Sequence, residues 1–239
     1  MKVKLISYTR DAEDILLFTK STRLNLTGDL LEFIKSWSPE RKLAELAYMA
    51  NTIPSSWEFV DYTFAITGVS RAFTHQFVRN RHGSYAQQSL RVVSVEEGYD
   101  FLMPQRLDTL QRERINDTNR KIADAYKSLV ESGAATEDAR SILPTNISTN
   151  IVAKFNLRTM SELAKSRTGG RTQGEYIEVM SAMCDEVIHV HPWAEQFLFP
   201  KARDYFDEIE AFAERHYGGD LVRKGELLKI VDRMRKEKA

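Results

Sequence analysis

One short segment concentrates side chains that bind anions and nucleotide bases. Residues 75–91, HQFVRNRHGSYAQQSLR, carry three arginines among histidine, amide and hydroxyl side chains. Guanidinium groups bind phosphate through two parallel hydrogen bonds, and amides can read the edge of a base. The composition alone leaves a solvated basic helix end open as the alternative. The polar members are Gln76, Arg79, Asn80, Arg81, His82, Ser84, Gln87, Gln88, Ser89 and Arg91.

Two further arginines occupy positions where they could bind a ligand. Arg167 continues an apolar stripe in NLRTMSELAKSR, residues 156–167. Burying a guanidinium without a partner is costly, so either a carboxylate or a ligand anion should pair with it. Arg140 shortly precedes the chain-breaking Pro144, and periodicity leaves open whether it faces a cleft or water. The stripe consists of Leu157, Met160, Leu163 and Ala164.

Several classes of function are disfavoured by the composition. Lys plus Arg and Asp plus Glu both number 34, so no overall field draws the chain to nucleic acid or to an anionic membrane. Cys184 is the one cysteine, and the five histidines show no metal-ligand spacing beside a carboxylate, so we expect no metal site. We expect a cytoplasmic protein, since neither a membrane span nor a signal peptide is recognisable.

The chain must position these residues with few strands and many helices. KVKLISY, residues 2–8, and FVDYTFAI, residues 59–66, predict strands, and apolar spacing predicts helices over 28–50, 107–132 and 172–189. No linker or repeat separates domains. We therefore predict an α+β fold: a single domain with an antiparallel sheet flanked by long helices, covering 1–220. A basic amphipathic helix over 221–239 should follow it.

Local signals refine the two motif regions. A helix over 69–80 would put Gln76 on a buried face, where an amide needs hydrogen-bond partners. Gly83 should turn the chain after that helix. Gly133 should end the predicted helix 107–132. Thr172 followed by Glu175 predicts a capping box, in which each side chain satisfies the other's backbone N–H.

These segments resemble the flavin-dependent thymidylate synthases. The signature of that family runs Arg-His-Arg, seven residues, Ser, one residue, Arg, Tyr, and RNRHGSYAQQSLRV matches four of its positions, Arg79, Arg81, Ser89 and Arg91. SSWEFVDYTF is similar to a Ser/Thr-x-Phe-Glu-His segment, and EDARSILP to a Glu-x-Ala-Arg-x-x-Leu-Pro element. NLRTMSELAKSR and HPWAEQFL resemble the later helices. Apart from HPWAEQFL, the other four elements are separated in the chain and occur in the family's order.

The resemblance implies a site for a pyrimidine deoxynucleotide. Arg167 would polarise the base, and a fixed guanidinium suits the charge that builds on a ring whose C5 attacks an electrophilic carbon. Redox chemistry would belong to the cofactor, so no Ser-His-Asp set is required. The implied substrate-binding residues are Gln76, Arg79, Gln87, Gln88, Ser89, Arg91, Arg140 and Arg167.

The resemblance also implies FAD as the cofactor, with NADPH and methylenetetrahydrofolate as co-substrates. Four subunits would share composite sites as a homotetramer. Arg171 falls where the family often has a histidine near the flavin. The implied cofactor-binding residues are Ser55, Glu58, Arg79, Asn80, Arg81, His82, Gln87, Asn156, Arg158, Glu162 and Arg171.

The sequence departs from the family at four positions. Asn80 replaces the central histidine of the signature, Val92 the tyrosine after Arg91, and Phe59 a histidine; Glu162 stands where an asparagine often contacts flavin. Asn80 can exchange hydrogen bonds but cannot become charged. The main hypothesis is synthesis of dTMP from dUMP. A sister enzyme that methylates or hydroxymethylates another pyrimidine such as dCMP, and a nucleotide-binding relative without catalysis, stay open.

Overall fold

The computed structural model describes residues 1–21, 29–90, 100–167, 174–199, 205–217 and 219–238. The chain divides into two compact units, Met1–Pro200 and Lys201–Ala239. The first unit contains both segments that the sequence marks for chemistry. The predicted extent of the family-like domain, 1–220, is not decided by this division and stays a prediction. No helix among the described residues is long and apolar enough to cross a membrane.

A four-stranded antiparallel sheet in the order β1-β2-β4-β3 forms the centre of the first unit. Its strands are β1 (Lys2–Tyr8), β2 (Asp61–Ser70), β3 (Ser84–Gln87) and β4 (Ser148–Asn156). β1 confirms the predicted first strand, whereas β2 begins and ends later than predicted. The pairing of β2 with β4 shifts register between Ile66 and Val69, where Gly68 has a φ of +67°.

Nine helices of the first unit surround this sheet, which confirms the predicted α+β class. They are α1 (Ala12–Ser21), α2 (Leu30–Lys35), α3 (Pro39–Thr52), α4 (Arg71–Phe77), α5 (Thr109–Glu131), α6 (Thr136–Ala139), α7 (Leu157–Arg167), α8 (Gly174–Val190) and α9 (Glu195–Leu198). Short 3₁₀ helices occupy Pro54–Phe59, Arg140–Ile142 and Pro192–Ala194. These α-helices and 3₁₀ helices are those found in the part of the chain that the structure describes.

The core lies between one face of the sheet and the helices. Alternation along β2 and β4 buries one side of each strand, because successive side chains point to opposite faces. Helices α7 and α8 cover that face, and the predicted stripe of α7 is buried throughout. The buried strand residues are Tyr62, Phe64, Ile66, Ile151, Ala153 and Phe155.

Three of the predicted helices differ from the observed ones. The predicted helix 28–50 is two helices, since Ser38 caps α3 by accepting from the Arg41 N–H and Pro39 opens the new helix. The predicted helix 69–80 shrinks to α4, because β2 runs to Ser70 and the Ser70 hydroxyl accepts from the Phe73 N–H. The third, 107–132, is shortened to α5, whose start is a capping box of Asp108 with Gln111.

Helix α5 is less buried than its apolar spacing indicates. Leu110 and Leu129 lie exposed, and Tyr126 is the one buried member of the apolar set whose spacing predicts this helix, namely Leu107, Leu110, Ile122, Tyr126, Leu129 and Val130. The helix ends as predicted near Gly133, whose φ of +92° is the left-handed conformation that glycine tolerates. The spacing therefore identified the helix correctly but overestimated how much of it packs within one chain.

The second unit consists of α10 (Tyr205–Tyr217) and α11 (Leu221–Lys238), which contact each other. Lys224 forms an ion pair with Glu214 between the two helices. The predicted helix near the C-terminus is thus present. Of the apolar residues that predict this helix, Leu227, Leu228, Val231 and Met234, Val231 is buried and Met234 is exposed.

Candidate functional site

The first cavity lies where α4, α7 and α8 meet, and has a volume of about 480 Å³. It brings together residues from the arginine-rich segment and from the end of α7, which are about 80 positions apart in the chain. This juxtaposition was implied by the family resemblance and not by spacing. The lining residues are Gln76, Arg79, Asn80, Arg81, His82, Glu162, Leu163, Ser166, Arg167 and Tyr176.

Arg167 forms one wall of the first cavity. Its guanidinium carbon lies 5.2 Å from the centre of the Tyr176 ring, and its Nε is buried without a hydrogen-bond partner. Among the described residues no carboxylate forms an ion pair with it. Burial raises the pKa of Tyr176, and the positive charge of Arg167 opposes that rise. The tyrosine is therefore a neutral, aromatic neighbour that leaves the cation available to an anion.

The turn after α4 presents the first cavity's other cations and depends on three contacts. The Asn80 Oδ1 accepts from the His82 N–H at 3.0 Å, and the Tyr85 hydroxyl donates towards the carbonyls of Phe77 and Asn80 at 3.0 and 2.8 Å. A Cβ on Gly83 would lie 2.4 Å from Cε1 of Phe155, so only glycine fits there. Asn80, which departs from the family signature, thus shapes the turn that carries Arg79 and Arg81.

Gln76 corrects one expectation. It was predicted on the buried face of its helix, yet it is exposed and lines the first cavity. The reason is that the buried face of α4 is centred on Phe73, Thr74 and Phe77, and Gln76 lies about 100° around the helix from Phe77, beyond the edge of that face. Its predicted contact with a nucleotide stays a prediction.

A network of three ion-paired side chains lies beside the first cavity. The Arg158 Nη1 donates to the Glu58 carboxylate at 2.7 Å, and its Nε donates to Glu162 at 3.3 Å. These bonds raise the pKa of Arg158, with Glu58 the larger contributor. The carboxylate at 162 therefore has a partner on its own helix. Phe59, the neighbour of Glu58, is 61% exposed, which is unusual for so large an apolar side chain.

Asn156 has a structural role that the sequence did not indicate. Its Oδ1 accepts from the Thr159 N–H at 2.9 Å and so caps α7. Ser55 is exposed on the 3₁₀ helix that precedes β2, in the same helix as Glu58. Arg91, Val92, Arg171 and the predicted capping residue Thr172 lie outside the described residues; the Glu175 carboxylate accepts from the Ser70 N–H and hydroxyl.

The remaining predicted substrate residues do not line the first cavity. The Gln87 amide donates to the Thr74 hydroxyl at 2.8 Å, and Gln88 accepts from Asn150 at 2.8 Å. Ser89 is exposed just beyond β3. Arg140 lines a second cavity of about 370 Å³, together with Arg71 and His75 of α4. The two cavities share no lining residue.

Three residues of these cavities were missed as site residues. Tyr176 belongs to the apolar spacing that predicts the helix 172–189, and nothing in that helix indicates that Arg167 lies over its ring. Arg71 and His75 precede the signature and match none of its positions. A helical reading of α4 could have found His75 and Arg71 on one face, because they are four residues apart. Among the described residues no cluster of His, Cys, Asp and Glu is arranged to hold a metal ion.

Comparison with known proteins gives the family. Residues 4–193 match the family model described as thymidylate synthase complementing protein. The flavin-dependent thymidylate synthase of Sulfurisphaera tokodaii is 32% identical over 205 residues, covering 84% of this chain and 78% of the relative. Those of Saccharolobus solfataricus and Geobacter sulfurreducens are 32% and 31% identical, over 80% and 73% of this chain and 74% and 77% of theirs.

The chain belongs to the flavin-dependent thymidylate synthase family. The resemblance read from the four sequence motifs is therefore confirmed, and the protein is a flavin-dependent thymidylate synthase-like enzyme. The roles of individual residues stay predictions.

Proposed function

We propose that the enzyme transfers one carbon from methylenetetrahydrofolate to C5 of dUMP, giving dTMP, with FAD as cofactor and NADPH as reductant. The observation that carries the proposal is the Arg167 guanidinium, which has a buried Nε without a partner in a cavity that also holds Arg79 and Arg81. A site of this charge suits an anionic ligand. The names of the relatives support the reaction class.

The residues of the first cavity fit a flavin nucleotide by the chemistry of their donors. Arg79, Arg81 and His82 offer cationic or N–H donors, and Asn80 offers an amide. A bound flavin supplies hydride and redox chemistry that the side chains cannot. The cavity of about 480 Å³ lies within the range of small-molecule sites.

Arg167 has the electrostatic role in this proposal. C5 of the uracil can attack the donor carbon only when negative charge has built on the ring, as in an enolate, and a preorganised guanidinium beside the ring oxygen would stabilise that charge. Packing of the guanidinium against Tyr176 fixes its position before the substrate binds. The new carbon–carbon bond would replace the carbon–nitrogen bond to the folate, the C5 proton would pass to solvent, and the hydride that completes the methyl group would come from the reduced flavin.

The division of the predicted nucleotide residues between two cavities supports a composite site. Gln76, Arg79 and Arg167 line the first cavity, and Arg140 lines the second. One nucleotide can contact both sets if the first cavity of one subunit meets the second cavity of another. We therefore propose that the enzyme is a homotetramer whose sites combine residues of different chains.

The reaction is tested first by spectroscopy and product analysis. Purified enzyme should show a flavin absorbance band, and titration with dUMP should perturb it. Mass spectrometry after incubation with methylenetetrahydrofolate and NADPH should detect dTMP when dUMP is the substrate, and no 5-methylated or 5-hydroxymethylated dCMP when dCMP is. A product from dCMP alone would replace the proposal with the sister reaction. Absence of flavin even after added FAD would contradict it.

Mixed tetramers test the composite site. At dUMP concentrations well below the KM of Arg140→Gln, Arg140→Gln and Arg167→Gln should each have little activity alone, whereas co-expression should recover roughly a quarter of wild-type activity through sites that combine intact residues from two chains. No recovery, although both variants assemble into one tetramer, would mean that one chain supplies both residues. A double variant mixed with wild-type chains measures how freely the subunits combine.

A further inference from the structure

The second cavity contains more positive charge than the family resemblance assigns to it. Arg140 is the residue that the resemblance implies, but Arg71 and His75 of α4 line the same space. Glu137 is the acidic residue of this lining. The cavity is otherwise bordered by apolar and hydroxyl side chains, including Leu143.

The described hydrogen bonds of both guanidiniums lead to backbone carbonyls. The Arg71 Nη2 donates to the Gln88 carbonyl at 2.8 Å, and the Arg140 Nε donates to the Glu137 carbonyl at 3.1 Å. The Arg71 Nε is buried and has no hydrogen-bond partner. These contacts orient the guanidiniums without neutralising them, since a carbonyl carries no net charge. Among the described residues neither arginine forms an ion pair with a carboxylate.

The arrangement is electrostatically unfavourable without an anion. Burial lowers the pKa of Arg71, and the nearby charge of Arg140 lowers it further. A buried donor that lacks an acceptor adds to the cost. A phosphate monoester would supply negative charge between the two cations and acceptor oxygens for the orphaned Nε.

We propose that Arg71 is an anion-binding residue that, together with Arg140, holds the phosphate monoester of the nucleotide. The inference rests on the proposed function for the identity of the nucleotide, but not for the presence of the anion site. His75 lies one helical turn along α4 and lines the same cavity, so it can add an N–H donor. The pyrimidine ring would then belong to the first cavity of a neighbouring subunit.

Binding measurements on the full-length enzyme test the role of Arg71. Arg71→Gln should weaken dUMP binding by about 10- to 100-fold, because a charged hydrogen bond and a formal charge are lost. Deoxyuridine lacks the phosphate, so its dissociation constant should differ by less than about threefold between Arg71→Gln and the wild type. Arg71→Lys keeps the charge and should fall between Arg71→Gln and the wild type. Calorimetry supplies the dissociation constants.

Arg112→Gln is the matched control. Its guanidinium also donates to two backbone carbonyls, those of Leu107 and Gln105, at 2.9 and 2.8 Å, but it lines neither cavity. It should leave dUMP binding unchanged. Equal weakening of dUMP and deoxyuridine in Arg71→Gln, with a lower melting temperature, would identify a structural role and overturn the proposal. Unchanged dUMP affinity would overturn it as well.

Protection by inorganic phosphate separates this inference from the proposed reaction. Millimolar phosphate should raise the melting temperature of the wild type and of Arg112→Gln, and should not raise that of Arg71→Gln. This result would support the anion site even if no flavin or dTMP were found. A wild type that neither phosphate, dUMP nor dCMP protects would overturn the anion site, whether or not flavin binds.

Discussion

The two cavities hold their arginine side chains through different contacts. In the first cavity Arg167 packs on the Tyr176 ring, and the turn that carries Arg79 and Arg81 is tied to buried aromatic residues. In the second, Arg71 and Arg140 are oriented by backbone carbonyls. Tyr176 holds the Arg167 guanidinium through its ring and a side-chain hydrogen bond and leaves the buried Nε without a partner, whereas in the second cavity each backbone carbonyl takes one guanidinium donor.

From this difference we expect the two cavities to have separate effects, one on the chemical step and the other on binding. A guanidinium that stabilises charge on a reacting ring must be fixed before the reaction begins, and the first cavity has that rigidity. A phosphate is held equally in the ground state and the transition state, so its site changes affinity and not the rate of the chemical step. Substitutions in the first cavity should therefore change turnover, and substitutions in the second should change dUMP binding.

The largest effect should follow from Arg167→Gln. Loss of one preorganised charged donor is expected to lower kcat by about 10²- to 10³-fold, as for the removal of an oxyanion donor. Arg140→Gln should instead raise KM for dUMP with a smaller change in kcat. Steady-state kinetics with saturating NADPH and methylenetetrahydrofolate measures both. Equal effects of the two variants on kcat would remove the distinction between the cavities.

A backbone substitution tests the support of the first cavity. Gly83→Ala places a Cβ 2.4 Å from Phe155 and 2.7 Å from the Tyr85 hydroxyl, so the ring or the turn must shift. We expect a loss of about 1–3 kcal/mol in unfolding free energy and weaker flavin retention. Chemical denaturation measures the first and absorbance the second.

The control for Gly83→Ala is a glycine with open space around it. Gly225 lies in α11, and a Cβ there would meet nothing within 4 Å. Gly225→Ala should be neutral or stabilise by about 0.5–1 kcal/mol, because alanine favours helix. If Gly83→Ala behaved like this control, the close packing of the turn would not be what positions Arg79 and Arg81.

The sequence predicted the parts of this molecule that local pattern controls. Alternation identified β1, apolar spacing identified α5 and the stripe of α7, and the motif signature named four residues of the first cavity, Arg79, Asn80, Arg81 and His82. Each of these depends on neighbours in the chain. The boundaries were weaker, since the serine cap at Ser38 and the extension of β2 to Ser70 decide them locally.

Long-range packing explains what the sequence could not predict. Nothing near Tyr176 shows that α8 brings its ring under Arg167, and nothing near Arg71 shows that Arg140 comes beside it. The predicted burial of Gln76 was wrong because packing centres the buried face of α4 on Phe73, Thr74 and Phe77, which leaves Gln76 about 100° away from Phe77. The proposed composite site is a further case, because spacing within one chain does not report on contacts between chains.

The aromatic neighbour of Arg167 gives a smaller expected effect. Tyr176→Leu removes the ring and should weaken dUMP binding and lower kcat by about 3- to 30-fold, corresponding to a cation–π contact of about 0.5–2 kcal/mol. Tyr176→Phe keeps the ring and should stay within about threefold of the wild type. Because burial raises the pKa of Tyr176, the neutral phenol persists and the activity should not titrate with this residue near neutral pH. A severe defect in Tyr176→Phe would instead assign the role to the hydroxyl.

The smallest effect should come from Glu162, where the sequence departs from the family. Its carboxylate pairs with Arg158 and lines a cavity otherwise rich in arginine, so it opposes the binding of an anionic cofactor. Glu162→Gln should tighten FAD binding by about 1.5- to 5-fold at low salt, with the gain fading at high salt, because the pair is exposed and screened. Glu131→Gln breaks an equivalent pair with Lys127 one turn away on α5, outside both cavities, and should leave FAD affinity unchanged. Weaker FAD binding in Glu162→Gln would mean that the carboxylate contacts the cofactor directly and replaces the family's asparagine as a hydrogen-bond acceptor.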